Sequence, residues 1–275
     1  MTAAHFSLLL RAEWSKLSSR TMARLGVVFA ILIGLGVPIA WALGAMMFQQ
    51  AAPDKPVQID PTDAIKGALF IRNYLLLMRV FLVTVTAMSV AAEFQSRTLR
   101  EDLIRAVPRW SVLLAKWTAL CVWIAVTTAA TGISATVVSS AVWGVVSPHW
   151  GETLLGYIAS FGGDCGLAAL TVAVAVATRS LAGTITGVIL YYFMDYATWV
   201  GLWLTVNVPM FGDVPPAVKE AASQAMPLLP SAAFNVWLGM GDTTPWSIQS
   251  FVALLAVTLL SLVAAVRLFD RVDVP

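Results

Sequence analysis

The sequence predicts an all-α membrane protein. It is expected to have six transmembrane helices, an amphipathic N-terminal interface helix, a cytoplasmic connector helix and short outer helices before the last span. Three observations carry this. Hydrophobic residues make up 59% of the 275 residues and charged residues only 12%, about half the charge of a soluble domain. Apolar stretches long enough to cross a bilayer, about 20 residues each, recur along the chain. Basic residues crowd the connections on one side of those stretches, as the positive-inside rule requires. The spans must be helical, because an open strand leaves its backbone unsatisfied in lipid.

The elements follow in order as one transmembrane domain, 1–275. Residues 1–24 hold an amphipathic helix over His5–Ser19: Phe6, Leu10, Trp14 and Leu17 share one face, with Ser7, Arg11, Ser15 and Ser18 beside it. Such a helix lies in the interface as an anchor. The charges before the first apolar run, and that run's length, do not fit a cleavable leader, so the run is expected to stay as an anchor. The spans are expected over 25–48, 68–92, 111–146, 154–177, 181–206 and 246–266, the third longer than a bilayer needs. Gln49–Gly67, with Pro53, Pro56 and Pro61, is expected as an outer loop. A second outer loop, 207–245, holds two short helices behind Pro216 and Pro230, since proline suits the first helical turn.

Orientation comes from the basic residues. Arg11, Lys16, Arg20, Arg24, Arg97, Arg100, Arg105, Arg109, Lys116, Arg179, Arg267 and Arg271 fall on one side. Lys55, Lys66, Lys219 and, near the interface, Arg72 fall on the other. Both termini are therefore expected in the cytoplasm. Tryptophans near both sets of span ends form two aromatic belts, and no internal repeat of the kind that builds many secondary carriers is evident.

The segment 93–110, with Lys116 beyond it, is short, strongly charged and held between two spans. Thr98 and Glu101 form a capping box, which predicts a helix over Thr98–Val107, stopped by Pro108. Leu99 and Leu103 share a face rimmed by Arg100, Glu101 and Arg105. An apolar ridge rimmed by charge suits a groove on a soluble partner, and a solvated connector is the alternative reading.

This segment resembles the coupling segment of permeases in type 2 ABC transporters. The likeness rests on Glu93, Thr98–Leu99, the leucine-containing helix, the Pro108–Arg109 turn and Lys116, and more weakly on Leu228–Gly239. The order of elements along the chain matches as well. One departure is Arg97, where many relatives carry glycine. The resemblance implies a permease subunit, an exporter of the inner membrane, working as two copies with a separate cytoplasmic ATPase. That ATPase binds ATP and Mg, and it docks on Glu93, Thr98, Leu99, Arg100, Glu101, Leu103, Arg105, Pro108 and Arg109, with the Thr178–Gly183 turn as a smaller contact. The sequence has no G-x-x-x-x-G-K-[ST] and no soluble domain to bind nucleotide, so no enzymatic site of its own is expected. Membrane lipid is the other expected partner.

Arg79, Asp164 and Asp195 fall inside expected spans, each about four turns, or roughly 21 Å, from its inner end. A lone charge there costs at least about 2.5–3.5 kcal/mol on insertion scales. Arg79 is therefore expected to pair with Asp164, Asp195 or both. The cluster reads either as a buried pair that fixes helix register or as the polar lining of a substrate path or proton relay.

Other chemistry finds little footing. Cys121 and Cys165 lie in apolar runs without metal-ligand spacing, and His5 and His149 are the only histidines. YYFMD at Tyr191–Asp195 and GMGD at Gly239–Asp242 resemble paired intramembrane aspartates, but one is deep in a span and the other in an outer turn. An ion-coupled secondary transporter using Asp164 or Asp195 is the alternative to an ATP-driven permease, and a membrane anchor for a cytoplasmic protein is a third class. The spans' Trp, Phe, Met, Gly and Ala lean toward an amphipathic or hydrophobic cargo.

Overall fold

The structure is a computed structural model that describes residues 3–52, 59–74, 77–96, 108–207, 215–230, 232 and 248–271. Every regular element among them is a helix. In chain order these are α1 (Ala3–Ser19), α2 (Thr21–Ala51), α3 (Pro61–Tyr74), α4 (Leu77–Gln95), α5 (Arg109–Trp143), α6 (Trp150–Thr178), α7 (Leu181–Asn207), α8 (Pro216–Ala225) and α9 (Ile248–Asp270). A 3-10 turn, Met226–Leu228, follows α8.

Among the described residues five helices, α2, α4, α5, α6 and α9, are long and apolar enough to cross a membrane. α7 is long enough, but Tyr191, Tyr192, Asp195 and Tyr196 interrupt its apolar run. The arrangement is compatible with six crossings. α2 and α5 run parallel, because Trp123 Nε1 donates to Ala23 O at 3.0 Å and, further along, Thr131 Oγ1 donates to Ala30 O at 3.1 Å. Gly34 makes this approach possible. A Cβ there would stand 2.5 Å from Thr131 O and 1.9 Å from Ser134 Oγ, the close backbone contact that small residues permit between membrane helices.

The hydrophobic core lies between α2, α4, α5, α6 and α7 and takes in Leu17 of α1 and Phe269 of α9. A smaller core forms between α3, α5 and α6 around Ile65, Leu69, Ala135 and Tyr157. α1 lays Leu10, Trp14 and Leu17 against the main core, the face expected from its spacing.

One boundary differs from expectation in a way that matters. The helix leading into the second span starts at Pro61, not near Ala68, so part of the expected outer loop is helical. The cause is local. Asp60 accepts hydrogen bonds at Oδ1 from Thr62 N at 2.8 Å and Thr62 Oγ1 at 2.6 Å. It thereby caps one free amide of the first turn, while Pro61 occupies the position where a missing N–H costs nothing. Ser147, beyond α5, donates to Asp60 Oδ2 at 2.9 Å and fixes the cap to the neighbouring connection.

The long α5 ends at Gly144, whose φ of 87° suits glycine alone at no steric cost. α6 ends at Thr178 with Arg179 in the left-handed conformation, φ 51°, and Ser180 Oγ accepts from Gly183 N at 3.2 Å to cap α7. The Thr178–Gly183 segment is thus a tight turn braced at both sides. The first expected outer helix is α8; the second, after Pro230, lies outside the described residues, as does the expected connector helix Thr98–Val107.

Candidate functional site: two buried charge clusters

The first cluster lies in the middle of the bundle. Arg72 of α3 is 1% exposed and Asp164 of α6 is 3% exposed. Arg72 Nη1 stands 2.8 Å from Asp164 Oδ2. The same nitrogen donates to Asn73 Oδ1 at 2.7 Å and Ser160 Oγ at 3.1 Å, and Nη2 donates to Thr128 Oγ1 at 2.9 Å. Asn73 Nδ2 in turn donates to Ser160 Oγ at 2.8 Å. The guanidinium's planar fork is suited to holding several acceptors at once. Arg79 of α4 reaches the same aspartate, Nε to Oδ1, at 3.6 Å. It also donates to the Tyr192 hydroxyl on α7, and its guanidinium carbon lies 5.2 Å from that ring's centroid. One carboxylate thus serves two arginines, and the cluster joins α3, α4, α5, α6 and α7.

Of the three intramembrane charges read from the sequence, the structure brings Arg79 to Asp164. Asp195 lies one turn beyond Tyr192 on α7, and its Oδ2 is buried. The sequence reading missed Arg72, which it placed near the outer interface. Because α3 begins at Pro61, Arg72 lies about 16 Å along the helix from that start and enters the interior. The capped D-P-T-D run, Asp60–Asp63, is the signal that would have moved the boundary.

The second cluster lies at the basic end of the bundle. Lys116 of α5 is 0% exposed. Its Nζ stands 2.7 Å from Glu13 Oε2 of α1 and 2.6 Å from Glu93 Oε2 of α4. Glu93 also pairs with Arg20, ahead of α2, at 3.4 Å, and Arg20 donates to the Met88 carbonyl. Lys16 meets Glu13 at 3.0 Å from the exposed side. Two carboxylates are met by the buried Lys116, the half-buried Arg20 and the more exposed Lys16, so each buried ion is paired where a single unpaired one would cost several kcal/mol. The sequence reading included Glu93 and Lys116 but passed over Glu13 and Arg20. Glu13 sits at helical spacing between Leu10 and Leu17, an acid on the apolar face of a basic helix, and that is a readable sign of a buried partner.

These bonds frame the charged segment. Glu93 opens it and Lys116 follows it. At its far side Pro108 precedes α5 and its carbonyl accepts from Ser111 N at 3.0 Å. Arg109 Nη1 donates to the carbonyls of Phe269 and Asp270 at 3.4 and 3.3 Å, where α9 exposes its unsatisfied carbonyls. Thr98, Leu99, Arg100, Glu101, Leu103 and Arg105 lie outside the described residues.

The described geometry is that of a helical membrane unit whose charged segment is tied at both flanks to α1, α2 and α9. Among curated proteins none matches the chain. The family described as ABC-2 family transporter protein matches residues 9–198, a stretch from α1 into α7 that contains every residue of both clusters. The chain therefore belongs to the ABC-2 family of transporter proteins, as an integral membrane permease of a type 2 ABC transporter.

Proposed function

We propose that this permease is an exporter of the inner membrane, with both termini in the cytoplasm, that works as two copies driven by a separate cytoplasmic ATPase. The ATPase binds ATP and Mg and docks on the 93–110 segment. Leu99 and Leu103 enter its groove, and Arg100, Glu101 and Arg105 meet charges at the rim. The observation that carries this reading is the Lys116 bridge. A displacement of the segment pulls on Glu93 and, through the shared ammonium, on Glu13, while Arg109 engages the end of α9. The docked segment is thereby connected to helices on several sides of the bundle.

The ion-coupled alternative gains no support. Asp164, one of its two candidate coupling carboxylates, is engaged in ion pairs with Arg72 and Arg79.

The test is affinity purification of tagged chain from gently solubilised native membranes, for wild type and Leu103→Arg. An ATPase subunit is expected with wild type and lost with the variant. Absence of any ATPase from well-folded wild type would overturn the reading.

A further inference from the structure

A groove of about 500 Å³ opens sideways between α5 and α6, in the half of the bundle away from the basic end. Its walls are almost entirely apolar, with Ile133, Leu154, Ile158 and Phe161 among them. Ile133, Leu154 and Ile158 are each more than half exposed, so in a membrane this mouth opens into the hydrocarbon. Its volume falls within the range of sites that hold small ligands. Along α5 it runs from Val137 to Ala125, about 18 Å, slightly more than half of a hydrocarbon core roughly 30 Å thick. It is thus as deep as one leaflet.

The two ends of the groove differ. At the inner end Thr128 forms part of the wall, and its hydroxyl is the one held by Arg72. At the outer end stand Trp150 and Thr153. Beside this end Lys66 pairs with Glu152 at 3.3 Å. Each neighbours a lining residue in sequence, Ile65 and Thr153 respectively, and the pair is accessible. A cation and an anion side by side complement a zwitterionic headgroup, with its phosphate toward Lys66 and its ammonium toward Glu152.

We propose that this groove binds one acyl chain of a zwitterionic phospholipid from the outer leaflet, with its headgroup at Lys66 and Glu152. The chain's end then lies against Thr128, next to the Arg72–Asp164 pair, so the lipid packs directly on the buried charge cluster. The site rests on the protein's being membrane-embedded and on its orientation, not on ATPase coupling.

The experiment uses the full chain in nanodiscs with phosphatidylethanolamine carrying a photoactivatable group on its acyl chain, followed by peptide mass spectrometry. Labelling is expected to concentrate on Ala129, Ile133 and Ile158, well above the exposed face of α9. It should saturate, fall with excess unlabelled phosphatidylethanolamine, and disappear in Ala129→Trp, which fills the groove. Competition in wild type keeps the test valid should that variant fail to fold. Labelling that is non-saturable and no denser than on α9 would overturn the site. So would efficient disulfide formation between two copies of Ile133→Cys in membranes, since a second copy would then occupy the groove. Equal labelling by a phosphatidylglycerol reagent would overturn the headgroup assignment.

Discussion

Asp164 has the most consequential side chain in the bundle, since it supplies the charge that two buried arginines share. Replacing it with asparagine keeps the shape and removes that charge. Breaking a buried pair by deleting one partner costs about 3–5 kcal/mol, so Asp164→Asn is expected to lower the thermal midpoint of the detergent-solubilised protein sharply. A midpoint equal to that of wild type would show that the arginines are compensated from elsewhere. The presence of this cluster was legible in the sequence, because charged residues in apolar runs demand partners. Its membership was only partly legible. Arg72 lay within a few residues of an expected boundary, and an error of two turns in that boundary moves a side chain from the membrane surface to its interior. Glu13 was hidden differently. It sits in a helix otherwise explained as an anchor, and its buried partner, Lys116, lies on a helix distant in sequence.

At the scale of the element, α3 shows how a capping side chain sets what a helix buries. Asp60→Ala removes the acceptor for Thr62 and for Ser147, and a lost N-cap costs about 1 kcal/mol. The effect should depend on pH. Burial alone would raise the Asp60 pKa, but the hydrogen bonds from Thr62 and Ser147 and the nearby His149 outweigh it and hold the carboxyl below its ordinary 3.8. A depressed folded-state pKa means the contribution is complete above the unfolded value and is lost as pH falls through the folded one. The difference in thermal midpoint between wild type and Asp60→Ala should therefore shrink as pH falls below about 4. A gap that persists unchanged at pH 3 would contradict this. Helix positions elsewhere were largely legible, since α2, α5, α6, α7 and α9 overlie the apolar runs that predicted them. Runs of that length leave the chain few other conformations in lipid.

For the whole molecule, the basic-end cluster distinguishes a bundle that merely carries the proposed docking segment from one that transmits its movement. Lys116→Met preserves much of the stem's bulk and leaves Glu13 and Glu93 facing each other without their shared cation. If the bridge transmits movement, the variant is expected to retain the ATPase in affinity purification while losing stimulation of ATP hydrolysis by cargo or lipid. Unchanged stimulation in a folded variant would assign the bridge a purely architectural role. The family was legible from the order of elements and the residues around 93–116. The parallel contact of α2 with α5 was not, because the small residues that allow it look the same whether they face a helix or lipid.

The shared aspartate also constrains how the protein is made. Arg72 and Arg79 leave the ribosome about 85 residues or more ahead of Asp164, which at the usual 5–20 residues per second is a delay of roughly 4–18 s. During that interval α3 and α4 carry two cations that have no counter-ion in the bilayer. Their stable insertion is expected to wait for α6, so that the chain's second crossing is completed only after its fourth has been synthesised. Chains arrested after α5 should show α3–α4 accessible to a water-soluble thiol reagent at Val83→Cys, and chains arrested after α6 should not. Equal protection in both would mean that the arginines are sheltered before Asp164 arrives.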